Sequence, residues 1–271
     1  MDLFQNYAPF FEFGTYFTCF YGNFTAVTKA SRFLYETISL ILRLKMTKNN
    51  TARLAGFIYF LVVIMGIYNL AYVPSQLIVS DDPAATISNI QSSELMFRSG
   101  IVTGVLSYVF FLVLPFVLFD LFKEVNRNMA VLMVILAATS VPISLVNLIE
   151  MANVLTLVSS ETYINALTTE QLHTQVTLLF KSYNNGIKIV QVFWGLWLFP
   201  FGYLVFKSGF LPKVLGILLM LGCFGYFTFF LGNLLFPEVT IPSIIRRPAT
   251  LGEIGTCLWL LIMGTREKPA K

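Results

Sequence analysis

Four ionisable residues stand inside long apolar runs: Arg98, Glu150, Lys188 and Glu253. A charge placed there costs roughly 3 kcal/mol or more on membrane-insertion scales, so such groups are expected to face one another and pair. Counted from the ends of their runs, all four fall in one layer, where two cations and two carboxylates can line a single hollow. Four amides join them, Asn69, Asn147, Asn153 and Asn233, with Asn147 and Asn153 flanking Glu150 at intervals of three residues. That spacing keeps all three on adjoining faces of one helix. The chemistry such a set offers is recognition of a polar ligand, or hydrogen bonding between helices. Catalysis fits poorly, because no nucleophile with a base and no set of metal ligands comes together at one depth. Cys19, Cys223 and Cys257 have no CxxC spacing, and His173 is the single histidine. No nucleophile elbow, phosphate-binding loop or dinucleotide fingerprint is present. The expectation is therefore a protein that is not an enzyme, with no catalytic, cofactor-binding or metal residues and no cofactor.

The elements that position these groups follow from composition. The chain of 271 residues is 56% hydrophobic and 12% charged, with a mean hydropathy of +0.75, whereas a soluble domain carries about 25% charged residues. Its principal solvent is lipid. An aromatic share of 15% suits rings anchored at two membrane interfaces, and a net charge of +4, scattered along the chain, gives no footprint for nucleic acid. A bilayer core about 30 Å thick needs about 20 apolar helical residues. Runs of this kind cover about 52–73, 94–122, 129–157, 186–206, 212–236 and 250–264, the first ended by Pro74 and the last short enough to need its flanks. The fold expected is all-α: a polytopic integral membrane protein, a six-helix transmembrane bundle with one extracytoplasmic amphipathic helix. Gly100 and Gly104 form a GxxxG whose default use is close helix contact within the chain.

Lys and Arg set the orientation. Lys48 and Arg53, Lys123 and Arg127, Lys207 and Lys213, and then Arg266, Lys268 and Lys271 collect on one side, which is read as cytoplasmic. Asp81, Asp82, Glu161, Glu170 and Glu238 lie on the other, offset mainly by Arg246 and Arg247. Both ends of the core are then cytoplasmic. On the outer side, Asp82 before Pro83 predicts a short helix over 83 to about 92. Thr168 with Gln171 makes a capping box, after which Leu172, Val176, Leu179, Phe180 and Tyr183 recur at helical spacing. These predict an amphipathic helix across the outer face, broken or bent at Asn184, Asn185 and Gly186. Residues 1–45 are aromatic-rich and irregular, an N-terminal extension that is either not native or poorly ordered, or else a genuine interfacial segment. Met46 onward is the six-helix domain.

Ala52-Arg53-Leu54-Ala55-Gly56, Phe97-Arg98-Ser99-Gly100, Phe193-Trp194-Gly195-Leu196 and above all Phe206-Lys207-Ser208-Gly209-Phe210-Leu211-Pro212-Lys213-Val214-Leu215-Gly216 together resemble the membrane family known as domain of unknown function 4386, over about residues 51–264. The resemblance implies a bacterial cytoplasmic membrane protein and carries no activity.

Two functions remain open on these residues. One is a non-enzymatic multi-pass membrane protein that binds or transports a small or amphipathic ligand through an outward-facing polar pocket built from the eight residues named first. The other is a structural, assembly or stress-related membrane component acting through protein partners. The partners expected in either case are the lipid bilayer and, in the first, a small amphipathic ligand.

Overall fold

The computed structural model describes residues 47–265 apart from Pro237 and Thr240. The expectations for residues 1–45 and for the basic tail after Thr265 lie outside them. All regular structure among the described residues is helical, with no strand. In chain order the helices are α1 (Lys48–Ile67), a π-helical turn (Tyr68–Tyr72), α2 (Val73–Leu77), α3 (Pro83–Ser92), α4 (Glu94–Phe122) and α5 (Arg127–Ser159). There follow α6 (Glu161–Ala166), α7 (Thr169–Leu196), α8 (Leu198–Ser208), α9 (Lys213–Leu235), a 3-10 turn (Ser243–Arg246) and α10 (Arg247–Ile262).

Five stretches are long and apolar enough to cross a membrane: Lys48–Leu77, Glu94–Phe122, Arg127–Ser159, Thr169–Ser208 and Lys213–Leu235. The expected sixth, α10, has 16 residues and so reaches only about 24 Å at 1.5 Å per residue.

Two boundaries differ from the sequence reading. Pro74 does not end the first helix, which continues to Leu77. Proline cannot donate to the carbonyl four residues back and its ring crowds that carbonyl. Here the preceding turn widens instead, so that Val73 N–H donates to the Tyr68 carbonyl five residues back, and the chain passes the proline without stopping. The Asn184-Asn185-Gly186 sequence does not break α7 either, so the expected boundary near 186 is absent. The interruption falls at Trp197, where Pro200 imposes the same steric demand three residues on. The capping box forms with both arms present, and Val176, on the predicted stripe, is 1% exposed. Asp82 caps α3 by accepting from Ala85 N–H.

Small residues set the helix contacts. A Cβ on Gly56 would lie 2.2 Å from the Leu261 backbone nitrogen, so α1 and α10 meet backbone to backbone, and Cys257 Sγ donates to the Gly56 carbonyl across that contact. A Cβ on Gly202 would lie 2.6 Å from the Gly216 carbonyl, which fixes α8 against α9. The pair Gly100 and Gly104 faces Val73 and Asn69, so the GxxxG serves contact within the chain. Between these contacts lies an aromatic cluster: Trp197 stacks on Phe201 with centroids 5.0 Å apart and meets Phe111 edge-on at 5.2 Å.

Candidate functional site

The turn that widens ahead of Pro74 has a second effect, because it sets Asn69 beside a cavity. Asn69 is 9% exposed, it packs against Gly104, and it lines a cavity of about 330 Å³ together with Val73, Phe97, Met151, Phe180 and Trp194. Its amide has no hydrogen-bond partner among the described residues. Tyr68 OH shares a hydrogen bond with Ser99 Oγ at 2.8 Å, which ties the wide turn to α4.

The far wall of the cavity is α7, contributing Tyr183, Asn184, Ile187 and Gln191. Two polar residues of α5 hold that wall in place. Asn147 Nδ2 donates to the Tyr183 carbonyl at 3.0 Å, and its amide fills the notch over Gly186, where a Cβ would stand 1.8 Å from Asn147 Oδ1. This stitch explains why α7 stays unbroken at its Asn-Asn-Gly sequence. One turn further along α5, Glu150 accepts from Ser182 Oγ at 2.9 Å.

The remaining residues of the expected pocket have other attachments. Arg98 pairs with Glu94 on its own helix at 2.6 Å, with side chains 51% and 38% exposed. Lys188 is exposed and reaches Asn185 Oδ1 at 3.5 Å. Asn153 is exposed. Asn233 Nδ2 donates to the Phe229 carbonyl of its own helix at 2.7 Å. Glu253 accepts from Tyr59 OH at 3.2 Å, between α10 and α1. Tyr59 lies eleven residues along α1, about 16 Å from its start and near mid-bilayer on a 30 Å scale. The four charges therefore do not pair with one another. Among the described residues the ion pairs are Arg98–Glu94 and Lys123–Asp120, each within one helix. A partner one turn away on the same helix is reached without crossing between helices, and it satisfied Arg98 before Glu150 was needed.

Arg246 was not expected at the site. It lines the cavity from the end of the 3-10 turn, and its guanidinium lies over the Phe229 ring, 4.0 Å from the centroid. The signal that could have found it is Pro248, a first-turn proline that begins α10 and so places Arg246 at the cap. Gln191 and Tyr183 also belong to the lining; Tyr183 is the last residue of the predicted stripe, and Gln191 is a lone amide within an apolar run. Among the described residues no group of three His, Cys, Asp or Glu is placed to hold a metal ion.

The family model described as domain of unknown function 4386 matches residues 54–264. The chain belongs to that family. No curated protein and no solved structure matches it. Every residue placed around the cavity falls inside the DUF4386 match, from Asn69 on the wide turn to Arg246 at the start of the last helix.

Proposed function

We propose that this DUF4386 protein is a multi-pass membrane protein that binds a small amphipathic molecule in the cavity beside Asn69. In this reading α10 is a short sixth crossing, the Lys123 and Lys207 turns face the cytoplasm, both ends of the core are cytoplasmic, and the membrane is the cytoplasmic membrane of a bacterium. The first turns of α7 form the amphipathic segment at the outer surface.

One observation carries the reading: Asn69, 9% exposed, makes no side-chain hydrogen bond to the described residues and opens onto a cavity of about 330 Å³. An amide that opens onto such a space keeps its donors and acceptor available to a ligand, and a cavity lined by apolar side chains with a few polar groups is the common form of a small-molecule site, from about 300 Å³ upward. The lining groups are amides, a phenol and a guanidinium, which suit holding a ligand rather than transforming it.

The test is co-purification. Protein extracted gently and then denatured is expected to release a small amphipathic molecule detectable by mass spectrometry. Ile101→Trp, which fills the cavity, should abolish that release, while Val102→Trp, on the 56% exposed face of the same helix, should not. Equal release from the wild type and Ile101→Trp would overturn the proposal.

A further inference from the structure

The polar groups around the cavity are unequal in a way that names the ligand's charge. Its lining contains one cation, Arg246, and no carboxylate. No carboxylate among the described residues stands within ion-pair distance of Arg246. The guanidinium carbon lies over the Phe229 ring, 4.0 Å from its centroid, a cation–π contact that uses none of the N–H donors of the fork. A fixed fork of donors is the arrangement that takes a carboxylate or phosphate oxygen pair. Asn69 supplies a second unused polar group in the same cavity, and Val73, Phe97, Ile101 and Trp194 supply its apolar surface. A cavity of about 150 Å³ accepts a benzene ring; one of about 330 Å³ takes a molecule of on the order of a dozen heavy atoms.

Resting on the binding reading above, we propose that the ligand is an amphipathic anion: one carboxylate or phosphate head held by Arg246, on a medium-length apolar chain lying along the cavity wall. An acyl anion released from membrane lipid and an organic anion arriving from water share this chemistry, and a chain-length series separates them.

The experiment is a calorimetric titration of the full chain in nanodiscs of phosphatidylcholine, with empty nanodiscs subtracted. The probes are decanoate, decanol, decyltrimethylammonium, and the carboxylates from acetate to decanoate. Decanoate is expected to bind about tenfold or more tighter than decanol or the ammonium, as a charge-assisted bidentate contact implies. Arg246→Gln should remove that preference, Arg246→Lys should keep part of it, and Arg247→Gln, at the exposed neighbouring position, should leave it intact. Affinity should climb about threefold to fourfold per added CH2 as the chain is buried. Tight binding of decanol or the ammonium in place of decanoate would overturn the anion while leaving a ligand site. A flat chain-length series would overturn the apolar chain and point to an anion from water. Absence of binding by every probe, together with no co-purified molecule, would remove the site itself.

Discussion

The bundle is built differently at its two ends. From Trp197 toward the Lys123 turn, space is filled: Trp197, Phe201 and Phe122 are at most 1% exposed, their rings meet at centroid distances between 5.0 and 6.0 Å, and glycines let backbones touch. Toward the Asp82 end the same helices part around a cavity, the first of them loosens into a π turn, and the Asn69 amide opens onto that cavity. One end is closed by packing, and at the other the helices leave space between them. The two principles need different residues, large rings and glycines in the first case, isolated polar groups on apolar walls in the second.

That contrast can be broken by substitution, with each effect read as a change in unfolding free energy of the purified protein in detergent. The largest loss is expected for Trp197→Ala, about 3–5 kcal/mol, since it empties the centre of the aromatic cluster. Gly56→Ala should follow with about 1–3 kcal/mol, because its added methyl meets the Leu261 backbone, which has nowhere to move. Asn147→Ala should cost about 1 kcal/mol, the worth of the hydrogen bond that holds α7, and should also weaken ligand binding by freeing the cavity wall. Arg98→Ala should cost only about 0.3–0.5 kcal/mol, as exposed pairs one turn apart do. Asn69→Leu should be neutral or slightly stabilising, since it replaces an unpaired amide by an apolar group of similar size, and it should reduce binding. A Trp197→Ala loss no larger than that of Arg98→Ala would dissolve the distinction between the two ends. A clear loss of stability for Asn69→Leu would show that the amide belongs to the scaffold.

The helices were legible because runs of about 20 apolar residues need no tertiary information. Glu94–Phe122 was placed to the residue, and the caps at Asp82 and Thr168 were read from side chains that satisfy backbone donors nearby. The two misplaced boundaries, at Pro74 and at Asn184 to Gly186, share a cause. In each, a local breaker was overruled by its surroundings: a widened turn in one case and the Asn147 amide in the other. The site was harder to read. A helix such as α4, apolar on nearly every side, carries no stripe to say which face turns inward, so residue type identified Asn69 while nothing in the pattern could keep Arg98 out. Depth, inferred by counting from run ends, also failed to separate Glu253, whose partner Tyr59 comes from the middle of another helix. Arg246 was set aside as a loop charge because orientation was being read from its sign and not from the helix start at Pro248.

The π turn at Tyr68–Tyr72 has a consequence for how this wall could change over generations. A π turn is an α-helix holding one residue more than its register needs, with the surplus absorbed locally so that the helix on both sides keeps its packed face. Removal of any one of the four besides Asn69 would return the segment to ordinary α-helical register, draw the backbone at Asn69 inward, and reshape the cavity while Tyr59 and Leu77 stayed where they are. The breadth of this wall is therefore adjustable by chain length alone, through single-codon insertions and deletions, independently of which side chains the wall displays.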